Sequence, residues 1–158
     1  MAKQIPDGFH NVNSMLTVRD GSKMIEFYRQ AFGAQEIMRM PGPDGKTLMH
    51  AEIKIGDSIV MLGDEQPGGC RAPISVGAPT SALHVYVPDV DKTFNQAVKA
   101  GAKVVMPVSD MFWGDRFGQV EDPSGHRWGL ATHKEDVAPD EMARRAKEFF
   151  AKMGPGKK

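Results

Sequence analysis

The sharpest functional candidates in this sequence are His50, Glu52 and His84, which could hold a metal or move a proton. Two imidazoles and a carboxylate are the donors of a two-His, one-carboxylate metal site, and they equally suit a general base with a partner. The His50-Ala-Glu52 spacing puts the first two on one face of a strand, because strand side chains alternate with a period of two. In a structural role, His50 and Glu52 are polar residues at a solvated rim and His84 is a hydrogen-bonded strand residue; spacing does not say whether the three converge. A second group is aromatic. Phe112, Trp113 and Phe117 form either a lid that stacks on a planar ligand or part of the core. Asp115 and Arg116, inside that stretch, read as a turn ion pair or as ligand contacts, and His10, His126 and His133 read as surface residues. There is no Gly-x-Ser-x-Gly elbow, phosphate-cradling glycine loop or paired-cysteine zinc pattern.

The elements that must position these residues come from a chain that repeats itself. Met15-Leu-Thr-Val-Arg-Asp-Gly-Ser-Lys23 precedes an amphipathic helix ending at Phe32-Gly33-Ala34, and His84-Val-Tyr-Val-Pro-Asp-Val-Asp-Lys92 precedes one ending at Ala100-Gly101-Ala102. A period of about 69 residues, present twice, indicates two copies of one supersecondary unit rather than a solenoid. Residues 11–19 read as a strand, capped at the following helix by Asp20 or Ser22 and stopped by Gly33. A strand near 34–40 turns at Pro41-Gly-Pro-Asp-Gly45 into a strand over 47–55, and Gly56-Asp57 turns that into Ser58–Gly63. The unit is βαβββ. Residues 64–80, rich in Gly, Pro and Ser, read as a linker holding a bystander Cys70, and the second unit runs from about 81 to 133. Pro139–Met153 reads as an added amphipathic helix docked on the body or a second subunit, with Gly154–Lys158 frayed.

Bulk properties narrow the function classes. The 158 residues suffice for one domain with a real core. Twenty acidic residues balance twenty basic ones, so no overall field draws the protein to nucleic acid or an anionic membrane. No apolar run is long enough for a membrane span, and the first residues have no apolar stretch for a signal peptide. The single cysteine excludes an internal disulfide, and a cytoplasmic location is expected.

Leu16-Thr-Val-Arg-Asp-Gly-Ser-Lys-Met-Ile-Glu-Phe-Tyr28 with Phe32-Gly33, followed by Val120-Glu-Asp-Pro-Ser-Gly-His-Arg-Trp128, resembles the vicinal oxygen chelate superfamily, which includes glyoxalase I, extradiol dioxygenases and bleomycin-resistance proteins. The stretches His50–Leu62 and Met111–Gly118 are most similar to its PhnB-like branch. The resemblance implies an α+β fold in which two βαβββ modules form a curled, cup-like mixed sheet, plus the C-terminal helix, in a single domain that pairs as a homodimer.

Metalloenzymes of this superfamily bind a divalent ion through four strand positions, which fall here on Asn13, Met61, Ala82 and Gly129. A weak neutral oxygen, a soft thioether and two residues without donors make no site for such an ion, so no metal and no cofactor are expected. Strand alternation turns Val60, Leu62, Trp128, Leu130, Ala51, Ile53 and Ile55 toward the helices. The cup then receives Asn13, Met15, Thr17, His50, Glu52, Lys54, Ile59, Met61, His84, Tyr86, Arg127, Gly129 and Ala131. Asn13, Met15, Met61, His84, Tyr86, Trp113 and Arg127 are the expected contacts to a small organic molecule. The expected function is binding without the usual metal. A glyoxalase-like lyase or isomerase using His50, Glu52 or His84 is one alternative, and an antibiotic-sequestering resistance protein is the other.

Overall fold

A computed structural model describes residues 2–153; the fraying expected of Gly154–Lys158 lies outside the described residues. The first module comprises β1 (Ser14–Val18), α1 (Gly21–Phe32), β2 (Gln35–Pro41), β3 (Leu48–Ile55) and β4 (Ser58–Asp64). A one-turn helix, α2 (Pro73–Val76), stands where the sequence reads as linker alone. The second module comprises β5 (Ala82–Tyr86), α3 (Val90–Ala100), β6 (Lys103–Asp110), β7 (Asp115–Glu121) and β8 (Arg127–His133), and α4 (Pro139–Met153) follows. The sheets have orders β1-β4-β3-β2 and β5-β8-β7-β6, each with one parallel pair, β1 with β4 and β5 with β8.

Both module helices start and stop by the same chemistry. The Asp20 and Asp89 side chains accept from the N–H of Lys23 and Lys92, and Gly33 and Gly101 close the C-termini with positive φ. Strand β1 begins at Ser14 rather than 11, leaving Val12 outside it and 89% exposed. The cause is local: Asn13 Oδ1 accepts from the His10 N–H at 2.9 Å and its Nδ2 donates to the His10 carbonyl, a side-chain turn that competes with strand pairing.

Each sheet lays one face on its own helix, and α1 packs against α3. Val60, Leu62, Ala51, Ile53, Ile55, Trp128 and Leu130 are all buried on that side, as the alternation requires. Tyr28, Phe32 and Trp128 bring the two halves together, with ring centroids 4.8–6.2 Å apart. Buried Asp122 holds the seam: its Oδ2 accepts from Tyr28 Oη and Trp128 Nε1, both at 2.8 Å, and its Oδ1 from the N–H groups of Ser124 and His126. Ser124 Oγ accepts from the Arg19 N–H, and His126 Nε2 donates to the Thr17 carbonyl at 2.8 Å. His126 is therefore a buried tie between modules, not a surface residue. The motif around Asp122 is a structural staple.

Candidate functional site

Because the modules meet through their helices, the helix-free face of each sheet points away from that contact. The residues expected to line one cup are thus divided within a chain. Asn13, Met15, Met61, His50 and Glu52 belong to the first sheet, and His84, Tyr86, Arg127 and the neighbouring Trp113 to the second.

On the first face, strand register builds a row across the sheet. Met15 stands opposite Met61, Met61 opposite Glu52, and Glu52 opposite Met38. His50, opposite Met40, lies one step along, with its Nε2 at 3.4 Å from Glu52 Oε1. That contact is long for a hydrogen bond. Asn13 is turned back on His10, and Lys54 is exposed. One chain brings His50 to Glu52, but among the described residues no three His, Cys, Asp or Glu side chains converge, so His84 does not join them.

The second face is organised by rings. Tyr86 leans on His84, with centroids 4.8 Å apart; His84 lies nearly parallel to Phe117 at 5.6 Å; Phe117 meets the edge of Trp113 at 5.8 Å. Gly129 makes this possible: a Cβ there would stand 2.8 Å from Phe117 Cε2 and 3.2 Å from His84 Nδ1. Both ends of the row converge on one carboxylate. Tyr86 Oη and Trp113 Nε1 each donate to Asp115 Oδ2 at 3.0 Å, and His133 Nδ1 donates to Oδ1 at 2.8 Å. His133 Nε2 reaches Asp136 Oδ1 at 3.0 Å. Two carboxylate acceptors favour a hydrogen on both ring nitrogens, which is the cationic form of the imidazole. The bonds to Asp115 and then Asp136 raise the His133 pKa above its ordinary value. Burial pushes the Asp115 carboxyl up, yet the donors His133, Tyr86 and Trp113 outweigh it and hold it below the usual carboxylate range. The bond to Asp115 raises the Tyr86 phenol.

Asp115 is 4% exposed and is a buried hub rather than the partner of Arg116, whereas His133, which binds it, is exposed at the end of β8 as expected of a surface residue. Arg116 does not pair with Asp115; it points to Asp91 at 2.6 Å and Asp110 at 3.1 Å. Arg127 donates to Glu121 at 3.0 Å, so its charge is already matched. The alternation that puts Arg127, Gly129 and Ala131 on this face, continued one step, reaches His133, which pairs in register with Asp115. That alternation signals which face His133 takes, but not its pairing with Asp115. A cleft of about 810 Å³ between the modules runs along β5, touching Ala82 through Pro88 and the turn Ile55–Ser58.

Three of the four metalloenzyme positions are otherwise engaged, and the fourth, Ala82, carries no donor. Asn13 spends its amide on His10, the space above Gly129 is filled by Phe117 and His84, and Met61 faces Met15. They do not fit a hard divalent ion, and among the described residues no three His, Cys, Asp or Glu side chains are placed to hold one. No described helix is long and apolar enough to cross a membrane.

Two βαβββ modules, each a mixed four-stranded sheet backed by one helix, define a class of paired-module α+β proteins. Within it, the chain belongs to the Glyoxalase/Bleomycin resistance protein/Dioxygenase superfamily, which matches residues 9–130. It is 44% identical over 131 residues to the uncharacterized protein Mb0911c of Mycobacterium bovis, covering 80% of this chain and 86% of that protein. Among solved structures it is similar to TioX from Micromonospora sp. ML1, with TM-score 0.62, 26% identity and coverage of 82% of this chain and 100% of that one. A PhnB protein from Bacillus cereus has the same fold, with TM-score 0.60, 16% identity and coverage of 78% and 99%.

Proposed function

We propose that this protein binds a small planar organic molecule in the cup of a homodimer, without the divalent metal usual in its superfamily. Each cup joins the first-sheet face of one copy to the second-sheet face of its partner. The observation that carries the reading is the prebuilt row Tyr86–His84–Phe117–Trp113, fixed at both ends by buried Asp115 and open to solvent at Tyr86, which is 62% exposed. Fixed aromatic surface binds flat molecules without an ordering cost at the moment of binding. Asn13, Met15, Met61 and Arg127 complete the contacts. Strand β5 supports the second copy. The Val87 N–H donates to Ala131 of β8, so by alternation the backbone groups of His84 and Tyr86 face an open sheet edge. The chain folds as a single domain, belongs to the PhnB-like branch on the pattern of His50–Leu62 and Met111–Gly118, and works in the cytoplasm apart from nucleic acid and membranes.

The test uses anilinonaphthalene sulfonate as a planar probe, with light scattering to weigh the protein. A dimer that binds the probe saturably, with Trp113 quenched and the signal lost in Trp113→Leu, is expected. A monomer at micromolar concentration, or a dimer with no saturable uptake, overturns the reading. The contact between His50 and Glu52 favours a second reading, a lyase or isomerase in which Glu52 takes a proton. Turnover of a hemithioacetal that is unchanged in Glu52→Gln removes Glu52 from that role.

A further inference from the structure

We propose that α4 is a strap that positions Trp113, the outer ring of the planar-ligand row, acting through Phe112 and the turn that carries both rings. The effect on binding rests on the planar-ligand reading; the effect on the ring does not. Trp113 is anchored at one atom, Nε1, which donates to Asp115 Oδ2 at 3.0 Å. One hydrogen bond fixes that nitrogen but not the plane of the indole, which is set by the rings beside it. These are Phe117 on β7, at 5.8 Å, and Phe112, which meets Trp113 edge to face at 5.0 Å. Phe112 belongs to no strand or helix; it sits in the turn closed by the Gly114 N–H on the Met111 carbonyl. Its other ring partners among the described residues are Phe149 at 5.4 Å and Phe150 at 5.9 Å, both on α4.

A second link from α4 reaches the same turn. Arg145 donates to both oxygens of Glu135, at 2.8 and 2.9 Å. The N–H groups of Lys134 and Glu135 in turn donate to the Gly114 carbonyl at 2.9 and 3.0 Å, and a Cβ on Gly114 would collide with the Glu135 carbonyl oxygen. Elsewhere α4 adds nothing to the core. None of its residues is buried, Phe150 is 61% exposed, and a cavity of about 510 Å³ lined by Met111, Gly114, Arg116, Lys134, Glu135 and Arg145 remains beside the turn. Ion pairs of Glu141 with Arg144 and Arg145, and of Glu148 with Arg144, support the helix from within. A helix docked for stability would bury an apolar stripe. This one is held at two points, and both lead to the turn that presents Trp113.

The experiment reads Trp113 in the full chain by acrylamide quenching. Trp128, the other tryptophan, is fully buried, and its emission, measured in Trp113→Leu, is subtracted. Replacing Phe149 and Phe150 together by Ala keeps the helix and removes both rings. Acrylamide is then expected to quench Trp113 more strongly, and anilinonaphthalene sulfonate to bind about two- to tenfold more weakly, the cost of ordering one large side chain at the moment of binding. Phe149→Tyr with Phe150→Tyr, which keeps both rings, restores the parent values. Phe112→Leu reproduces the exposure of Trp113, and adding the two Ala substitutions to it moves Trp113 no further. Lys147→Ala, on the exposed side of α4, changes neither quenching nor binding. Quenching equal to the parent's in the double Ala variant, or a further rise when those changes join Phe112→Leu, overturns the proposal. So does probe affinity equal to the parent's in a variant whose Trp113 has become accessible. A parent that takes up no probe defeats the planar-ligand reading, and the quenching still decides the strap.

Discussion

The two helix-free faces descend from one repeated unit, and they have been filled in opposite ways. The repeat sets Met15 against His84, Thr17 against Tyr86 and Met61 against Gly129. On the first face the central position holds a long thioether, flanked by side chains with a single long contact between them. On the second, removing the side chain at Gly129 lets Phe117 and His84 lie over the backbone, and Asp115 then ties Tyr86 and Trp113. One face adapts and the other is fixed. In the proposed dimer, a cup made from both would pair a rigid wall to choose a shape with a soft wall to tolerate variation in it.

The largest effect comes from undoing what holds the two modules in one body. Asp122→Ala leaves Tyr28 Oη, Trp128 Nε1 and two backbone N–H groups without their acceptor in a buried place. A loss of about 3–5 kcal/mol in urea unfolding is expected, because buried donors left unpaired cost about 1–3 kcal/mol each and some regain water. Next comes a swap that makes the faces alike. Gly129→Met puts a Cβ within 2.8 Å of Phe117 and costs about 1–3 kcal/mol by overpacking. The aromatic row must then open, and Trp113 emission shifts. If Gly129→Met is as stable as the parent with unchanged emission, the glycine does not set the second face.

Much of this frame was legible in the residues. Asp20 and Asp89 at helix starts, Gly33 and Gly101 at their ends, and the parity that buries Leu62 and Trp128 are local or period-two signals. Three things were not legible, for one reason. The pairing of His133 with Asp115 depends on strand register, the burial of His126 depends on a turn reaching the other module, and the separation of His84 from His50 and Glu52 depends on how the modules meet. Each joins residues far apart in sequence, where spacing carries no information. Asn13 failed differently, because its side chain found a nearer partner than the strand.

The hub on the second face carries a pH signature. The His133 pKa is raised above its ordinary 6.5, so its contribution to stability is complete below that value and is lost as pH rises through the folded pKa. Asp115 is lowered from 3.8, so its contribution is present above that value and is lost as pH falls through the folded one. The pair is intact between the two. The stability difference between the parent and His133→Asn should therefore be larger near about pH 6 than near about pH 9. Proton NMR titration should place His133 above 6.5. A value at or below 6.5, or a stability difference that is flat across that range, would mean that the imidazole is not clamped by its two carboxylates.

The smallest effects test the contrast itself. Met15→Leu changes a half-exposed, volume-matched side chain and should alter stability by no more than about 0.5 kcal/mol. Phe117→Leu removes a ring that touches both His84 and Trp113, and about 1–2 kcal/mol is expected, since aromatic pairs add about 0.5–1.5 kcal/mol beyond their burial. Coupling separates the two faces more sharply than either single loss. In a double-mutant cycle Phe117→Leu with Asp115→Asn should be non-additive, because both act on the position of Trp113. Met15→Leu with Glu52→Gln should add, because the first face has no fixed geometry to lose when one member changes. Additivity on both faces would mean that the second is no more rigid than the first, and the fixed wall would lose its basis.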